Sequence, residues 1–342
     1  MNDLTSQREA FYQRIDPHHM APLWTRLKAL VPKEPAPIGV VHHWKYEELR
    51  PYVLESAQHI SAKEAERRVL ILENPALRGT SQVTNVLYAG LQLIMPGEVA
   101  PAHRHTQSAL RFILEGEGAY TAVDGEKTTM HPGDFVITPA WTWHHHGNES
   151  AEPMVWLDGL DIPLAMQLGS TFREDHRADE APVTRPEGDA LARYGSGLAP
   201  VTRGASNLNS PVFNYPYART REALQALARA GAPDAHHGHL MRYVNPNDGG
   251  WAMPTMATMI RLVPRGFATK RYRATDSAVF VAVEGRGTVH AGGQAFDVAP
   301  RDAFVIPGWI PYRFEASEDL VLFSFSDRVI HEKLGFFREE RL

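Results

Sequence analysis

The 342-residue sequence contains no cysteine. That absence excludes disulfides, thiolate metal ligands and a cysteine nucleophile, so any bound metal falls to histidine and carboxylate side chains. Positive charge is not in excess either: 35 Lys and Arg against 40 Asp and Glu give a formal net charge of −5, which excludes a broadly basic nucleic-acid footprint. No uninterrupted apolar run approaches the ~18 residues of a membrane-spanning helix. The first ten residues carry acidic side chains and no apolar leader core. The expectation is a soluble, cytoplasmic protein with neither nucleic acid nor membrane among its partners. Gly-x-Ser-x-Gly is missing too, and Gly285-Arg286-Gly287 and Ala291-Gly292-Gly293 have no helix after them, so they are turns rather than phosphate cradles. What remains is 43% hydrophobic residues, ample for two cores, and 17 histidines.

Those histidines are unevenly placed. His103 and His105 flank Arg104, and 39 residues after His105 comes the run His144-His145-His146. Residues two apart on a strand project to one face, so His103 and His105 can reach one point while Arg104 points away. His144 and His146 share a face in the same way, and either could bring a third imidazole across a small barrel, with His145 turned outward. Three neutral ligands on one side of a divalent metal leave the opposite positions open for substrate. Zinc and manganese accept imidazole as iron does, so spacing leaves the metal open. A second run, Asp234-Ala235-His236-His237-Gly238-His239, has no strand periodicity to converge its rings and reads as a solvated or loosely packed loop. His42-His43-Trp44, ahead of a helical pattern, reads as packing or an interface rather than catalysis.

Along the chain, residues 1–31 have Leu4, Phe11, Ile15, Leu23, Leu27 and Leu30 at loosely helical spacing, broken around Asp16-Pro17. We expect a helical N-terminal segment over 1–65, a first β-rich domain over 66–165, a linker over 166–238 with a short helix from about Thr220 to Gly231, and a second β-rich domain over 239–342. The two β-rich sections repeat each other. Pro96-Gly97 recurs as Pro264-Arg265-Gly266, Glu115-Gly116-Glu117-Gly118 as Glu284-Gly285-Arg286-Gly287, and the segment from Asp134 to Trp141 as that from Asp302 to Trp309, at offsets of 169, 169 and 168 residues. The same offsets put His103 opposite Tyr272, His105 opposite Ala274 and His144 opposite Tyr312. The second copy keeps the scaffold and lacks the ligands.

Gly97, His103, His105 and Gly116, followed by Gly133, Pro139, His144 and Asn148, resemble the paired motifs of the cupin superfamily. The resemblance implies a mainly β chain of two tandem cupin (jelly-roll) β-barrels behind the N-terminal helical segment. Its usual first-motif glutamate would fall at Ala109, so the common set of three histidines and one glutamate is reduced here to three histidines; Trp141 stands where the second motif often has glycine. Within bicupins the chain is similar to the gentisate 1,2-dioxygenase group, which also contains salicylate and 1-hydroxy-2-naphthoate dioxygenases. Ala102-His103-Arg104-His105-Thr106, Thr138-Pro139-Ala140-Trp141, Trp156-Leu157-Asp158-Gly159-Leu160 and Arg242-Tyr243-Val244-Asn245-Pro246 carry that similarity through both domains.

The group implies a mononuclear Fe(II) on His103, His105 and His144, a homotetramer, and cleavage of gentisate (2,5-dihydroxybenzoate) by O2 to maleylpyruvate without external reductant or organic cofactor. Neutral ligands leave the ion its full charge, which suits a substrate that chelates through a carboxylate and an ortho phenolate. Arg111 has the parity of His103 and His105, so it should point into the barrel, where it would bind the substrate carboxylate or else pair with an internal Asp or Glu. His146 is the natural donor to bound substrate or oxygen, and Asp158 would orient His146 or a substrate hydroxyl. Gln92, with Tyr88 and Gly90 at the same parity, should line the same cavity. Arg67 is a candidate for the pocket through the resemblance; by its neighbours Glu66 and Arg68 it reads as a surface arginine. The rivals are salicylate or 1-hydroxy-2-naphthoate dioxygenase, a metal-dependent isomerase, and a bicupin that binds a small molecule or metal without turnover.

Overall fold

The computed structural model describes residues 2–202 and 208–342, with side chains from Leu4 onward. They fall into two compact units, Met1–Ala36 and Pro37–Leu342. In the first, the helix Asn2–Ile15 stops at the 3-10 turn Asp16–His18, where Pro17 has no N–H to continue the ladder. The short turns Leu23–Thr25 and Leu27–Leu30 follow, and Trp24 Nε1 donates to the Tyr12 hydroxyl at 2.7 Å.

The second unit holds two sandwiches of the same design. In the first, a six-stranded sheet built on Tyr88–Ile94, Ala109–Glu115, Phe135–Thr138 and Met154–Leu160 is paired with a five-stranded sheet built on Val99–His105, Ala119–Val123, Glu126–Thr129 and His144–Asn148. In the second, Ala257–Val263, Ala278–Glu284, Ala303–Ile306 and Leu320–Ser326 belong to the six-stranded sheet, and Tyr272–Ala274, Gly287–Ala291, Gln294–Val298 and Tyr312–Ala316 to the five-stranded one. The central strands are buried on both faces. Alternate residues of the first six-stranded sheet, such as Leu110, Phe112, Phe135 and Ile137, turn away from its cavity and share one core with Val279, Val281, Val305 and Phe323 of the second. Phe112 stacks on Phe323 with ring centroids 4.3 Å apart. The opposite parity of the second sheet, Phe280, Ala282, Phe304 and Leu322, fills a separate core inside that barrel. Runs such as Ala303-Phe304-Val305-Ile306 therefore read as continuous rather than alternating hydrophobicity, because each serves two cores.

The stretch expected as a linker is also sheet. Arg173–Asp175 adds to Val99–His105, with Arg173 opposite His105 and Asp175 opposite His103, and Asn214–Tyr215 adds to Phe135–Thr138. The helix expected near Thr220 runs Tyr217–Ala230. From the segment expected to be helical, His42–Trp44 joins the second six-stranded sheet, where His43 Nε2 lies 3.0 Å from Asp302 Oδ2. Nor is the run at Asp234 loose. Asp234 and Gly238 exchange backbone hydrogen bonds, His236 Nδ1 sits 2.9 Å from the Arg271 carbonyl, and His239 is buried in the strand His239–Arg242.

The repeat is visible residue by residue. His103 pairs with His144 across the sheet, as Tyr272 pairs with Tyr312. Trp141 and Trp309 both take left-handed φ, 60° and 64°, and donate their N–H to the carbonyls of His105 and Ala274. On the outer face Arg104 lies over Trp141 at 4.5 Å and pairs with Glu174, while Arg273 lies over Trp309 at 4.4 Å and pairs with Glu340. The edge strand at 173–175 thus has its counterpart in Glu339–Arg341, the closing strand of the second barrel.

Candidate metal centre

Parity delivers the first two histidines and a β-bulge the third. Register slips by one residue between Ala100 and His103, so that His144 comes opposite His103 while His146 lies opposite Ala100. One ligand nitrogen from each of His103, His105 and His144 lies within 4.8 Å of the other two. The backbone fixes which nitrogen is free. His105 Nδ1 lies 2.9 Å from the Gln107 carbonyl and His144 Nδ1 3.0 Å from that of Thr142, so each Nδ1 carries the proton and each Nε2 keeps its lone pair. His144 Nε2 is buried without any hydrogen-bond partner, a costly state that a metal ion relieves. Burial, then the Arg67 guanidinium, pulls the pKa of His103 down to about 2; burial takes His105 to about 4 and His144 well below the usual histidine value. All three imidazoles are neutral at pH 7 and ready to donate. Among the described residues, they are the group of histidines and carboxylates placed to share one ion.

The trio lies in a cavity of about 360 Å³, lined also by Arg67, Tyr88, Gln92, Arg111 and Asp158. These expected residues are brought together. The exception is His146, which is completely buried behind the cavity wall with both ring nitrogens engaged: Nδ1 is 2.8 Å from Thr121 Oγ1 and Nε2 is 2.9 Å from Arg111 Nη2. A guanidinium only donates, so Nε2 accepts and the ring proton sits on Nδ1. Thr121 can accept it, because its own hydroxyl donates to the His145 carbonyl. His146 thus offers no spare donor to substrate and instead holds Arg111. Asp158, directly across the sheet from Arg111, likewise serves that arginine: its Oδ1 is 3.6 Å from Arg111 Nε and accepts from Trp156 Nε1 at 3.0 Å. Burial raises the Asp158 carboxyl to about 6, against the pull of Arg111.

Arg111 is therefore clamped on three sides, with Nη1 also donating to Thr138 Oγ1 at 2.5 Å. Its Nε has no hydrogen-bond partner, and neither does Nη2 of Arg67, whose Nη1 donates to the Glu66 and Pro101 carbonyls. Burial, then Arg111, lowers the pKa of Arg67 to about 9, so it keeps its charge at neutral pH. Its neighbours are paired elsewhere: Arg68, itself buried, with Glu98, and the exposed Glu66 with Arg173. His145 does turn outward, yet it is buried, accepting from the Ala181 N–H and facing Glu180.

Sequence reasoning missed Arg173, Phe172 and Thr171, which line the same cavity. They sit in the stretch read as a linker, and three residues of exposed Arg-Glu-Asp carry no alternation that would mark a strand. Gln107, Leu160 and Ile162 complete the wall beside Ala109, the position without the usual glutamate. The cavity thus combines three neutral nitrogen donors at one point with the inward guanidiniums of Arg111 and Arg67, the exposed, ion-paired one of Arg173, one carboxyl and an otherwise largely apolar wall. Chemically, that is a place for a cation and for an anionic aromatic molecule bound to it.

The family model described as "Cupin domain" matches residues 90–160 and 258–325, the two barrels. A gentisate 1,2-dioxygenase of Aquipseudomonas alcaligenes is 52% identical over 99% of this chain and 97% of its own length. One from a Streptomyces species is 36% identical, covering 100% and 99% respectively. Among solved structures, a salicylate 1,2-dioxygenase from Pseudoaminobacter salicylatoxidans, crystallised as an adduct with gentisate, superposes with a TM-score of 0.93 at 34% identity, over 98% of this chain and 94% of that one.

Proposed function

The chain belongs to the gentisate 1,2-dioxygenase family of bicupins, and from that premise we propose that it cleaves the ring of gentisate with O2, giving maleylpyruvate, at a mononuclear Fe(II) held by His103, His105 and His144. The observation that carries the reading is the convergence of three neutral imidazoles, one with an orphaned buried Nε2, on the cavity that Arg111 and Arg67 enter. Iron, bound there, supplies Lewis acidity and the electron transfer that O2 chemistry requires.

The protein's own residues do the rest. Arg111 and Arg67 take the substrate carboxylate through the N–H groups left unpaired, and so fix which edge of the ring faces the histidines. His146, Thr138 and Asp158 are positioning residues for Arg111, which they hold to one orientation. Tyr88 and Gln92, on one strand face, set the distance at which the ring can lie. The apolar wall from Leu160 and Ile162 keeps water from the reacting carbons. A homotetrameric assembly and a cytoplasmic location belong to the same proposal and rest on the family resemblance.

The test is oxygen uptake by the Fe(II)-loaded protein offered gentisate, salicylate and 1-hydroxy-2-naphthoate in turn, with products identified by mass spectrometry. Uptake with gentisate and a product heavier than substrate by one O2 is expected. Uptake with salicylate or the naphthoate alone would replace the substrate, and bound iron with no uptake at all would favour a binding protein.

A further inference from the structure

His105 and His144 are both oriented by backbone carbonyls, and for His105 the line of hydrogen bonds continues past the carbonyl. His105 Nδ1 donates to the Gln107 carbonyl at 2.9 Å. The N–H on the other side of that same peptide group, belonging to Ser108, donates to Asp161 Oδ1 at 3.0 Å. Asp161 Oδ2 in turn accepts from Thr255 Oγ1 at 2.6 Å. Thr255 belongs to the second barrel, two residues ahead of its strand Ala257–Val263. Hydrogen bonds therefore run from a metal ligand of the first barrel, through one peptide group and one carboxylate, to a hydroxyl of the second. Gln107, Ser108 and Asp161 are all buried, so water does not compete along this line. Burial raises the pKa of Asp161, and the donors Thr255 and Ser108 oppose it by favouring the ionised form.

A peptide group passes polarisation from one end to the other. A carboxylate accepting from its N–H deepens the partial negative charge on its carbonyl oxygen, and that oxygen then holds an imidazole N–H more firmly and makes the opposite ring nitrogen a stronger donor. Metal-bound histidines often receive this help from a carboxylate directly; here one peptide lies between. The second barrel keeps the anchor without the ligand. Ser277 N–H donates to Asp327 Oδ1 at 2.8 Å, but Ala274 stands where the first barrel has His105, and Asp327 faces His331, four residues further on, at 3.7 Å. The bond from serine N–H to aspartate thus belongs to the fold, whereas the histidine at one end and Thr255 at the other are particular to the first barrel.

Resting on the reading of His103, His105 and His144 as the metal site, we propose that Asp161 is a positioning residue for His105. Acting through the Gln107–Ser108 peptide, it fixes the orientation of the imidazole and strengthens Nε2 as a ligand, and the Thr255 hydroxyl holds it in place. The barrel without ligands is then part of the metal centre of its twin.

Asp161→Asn is the sharpest probe, because the amide keeps the shape and both contacts, its oxygen accepting from Ser108 and its nitrogen donating to the Thr255 oxygen, and removes only the charge. Cobalt(II), which imidazole also binds, stands in for iron as a probe that survives air. In the full-length protein, cobalt affinity read by competition with a chelator should fall about 10-fold in Asp161→Asn and about threefold or more in Thr255→Val, with the cobalt d–d bands displaced in both, while Thr255→Ser matches the wild type. Tm of Asp161→Asn should not fall, since the amide buries no charge. A purely structural anchor predicts wild-type cobalt affinity and unmoved bands in Asp161→Asn, and that result overturns the proposal. A loss in Thr255→Val that Thr255→Ser does not restore overturns it as well. A wild-type protein that takes up no cobalt overturns the reading of the trio itself, and the role of Asp161 with it. Should Asp161→Asn not fold, the comparison of Thr255→Val with Thr255→Ser decides.

Discussion

Replacing Arg111 by methionine separates substrate recognition from metal chemistry more cleanly than any other change at the site. A guanidinium has five N–H donors; here one is given to Thr138 and one to His146, while Nε, 3.6 Å from Asp158, is unpaired. Three N–H groups are therefore uncommitted, enough for both oxygens of a carboxylate. Two charge-assisted hydrogen bonds at about 1.5–3 kcal/mol each make the truncation cost at least about 3 kcal/mol of binding, or on the order of 100-fold in affinity for gentisate. The fold should survive, because Asp158, stripped of its cation, can take up a proton instead of remaining a buried charge. The assay is anaerobic titration of the iron-loaded protein with gentisate, alongside KM from oxygen uptake and the iron content of each sample. Hydroquinone, which keeps both hydroxyls and lacks the carboxylate, provides the control: its binding should be nearly the same in both proteins. If Arg111→Met binds gentisate within about threefold of wild type at equal iron content, Arg111 is not the carboxylate receptor and the reasoning fails.

His144→Ala should lower bound iron at least tenfold, measured by elemental analysis, with far-ultraviolet circular dichroism unchanged, since two ligands on one strand cannot close the site. Asp158 sets a pH limb: as pH falls below about 6 it protonates and loosens Arg111, so kcat/KM should drop on the acid side, and Asp158→Asn should flatten that limb. The same raised pKa means that folding takes up a proton between about 4 and 6, so the stability this group contributes is lost as pH rises through that window; denaturation midpoints of Asp158→Asn should lack this decline. Phe112→Ala, which removes a ring stacked between the barrels, should cost about 3–5 kcal/mol in denaturant unfolding.

Much of this site could be read from the sequence because β-structure has a period of two. Parity alone put His103 with His105, turned His145 out, and put Tyr88 and Gln92 on one face. The internal repeat identified the barrel that lacks ligands. What the sequence could not supply was pairing between distant strands: the slip at Ala100–His103, the meeting of Arg111 with Asp158, and the docking of Arg173–Asp175 against His105 all depend on long-range register, which local pattern does not encode. His146 misled for that reason. Its face was right, but its partner, Arg111, lies on the opposite sheet, and that contact uses the nitrogen that seemed free for substrate.

The core shared by the barrels has a consequence for how such a chain can change over time. Leu110, Phe112, Phe135 and Ile137 on one side and Val279, Val281, Val305 and Phe323 on the other are each other's solvent shield, so neither barrel can be shed without exposing the other to water. Duplication here works as a ratchet. The outward face of the second barrel is bound to its twin and must stay apolar, whereas its inward face, relieved of holding a metal, is where new chemistry can accumulate without risk to the first.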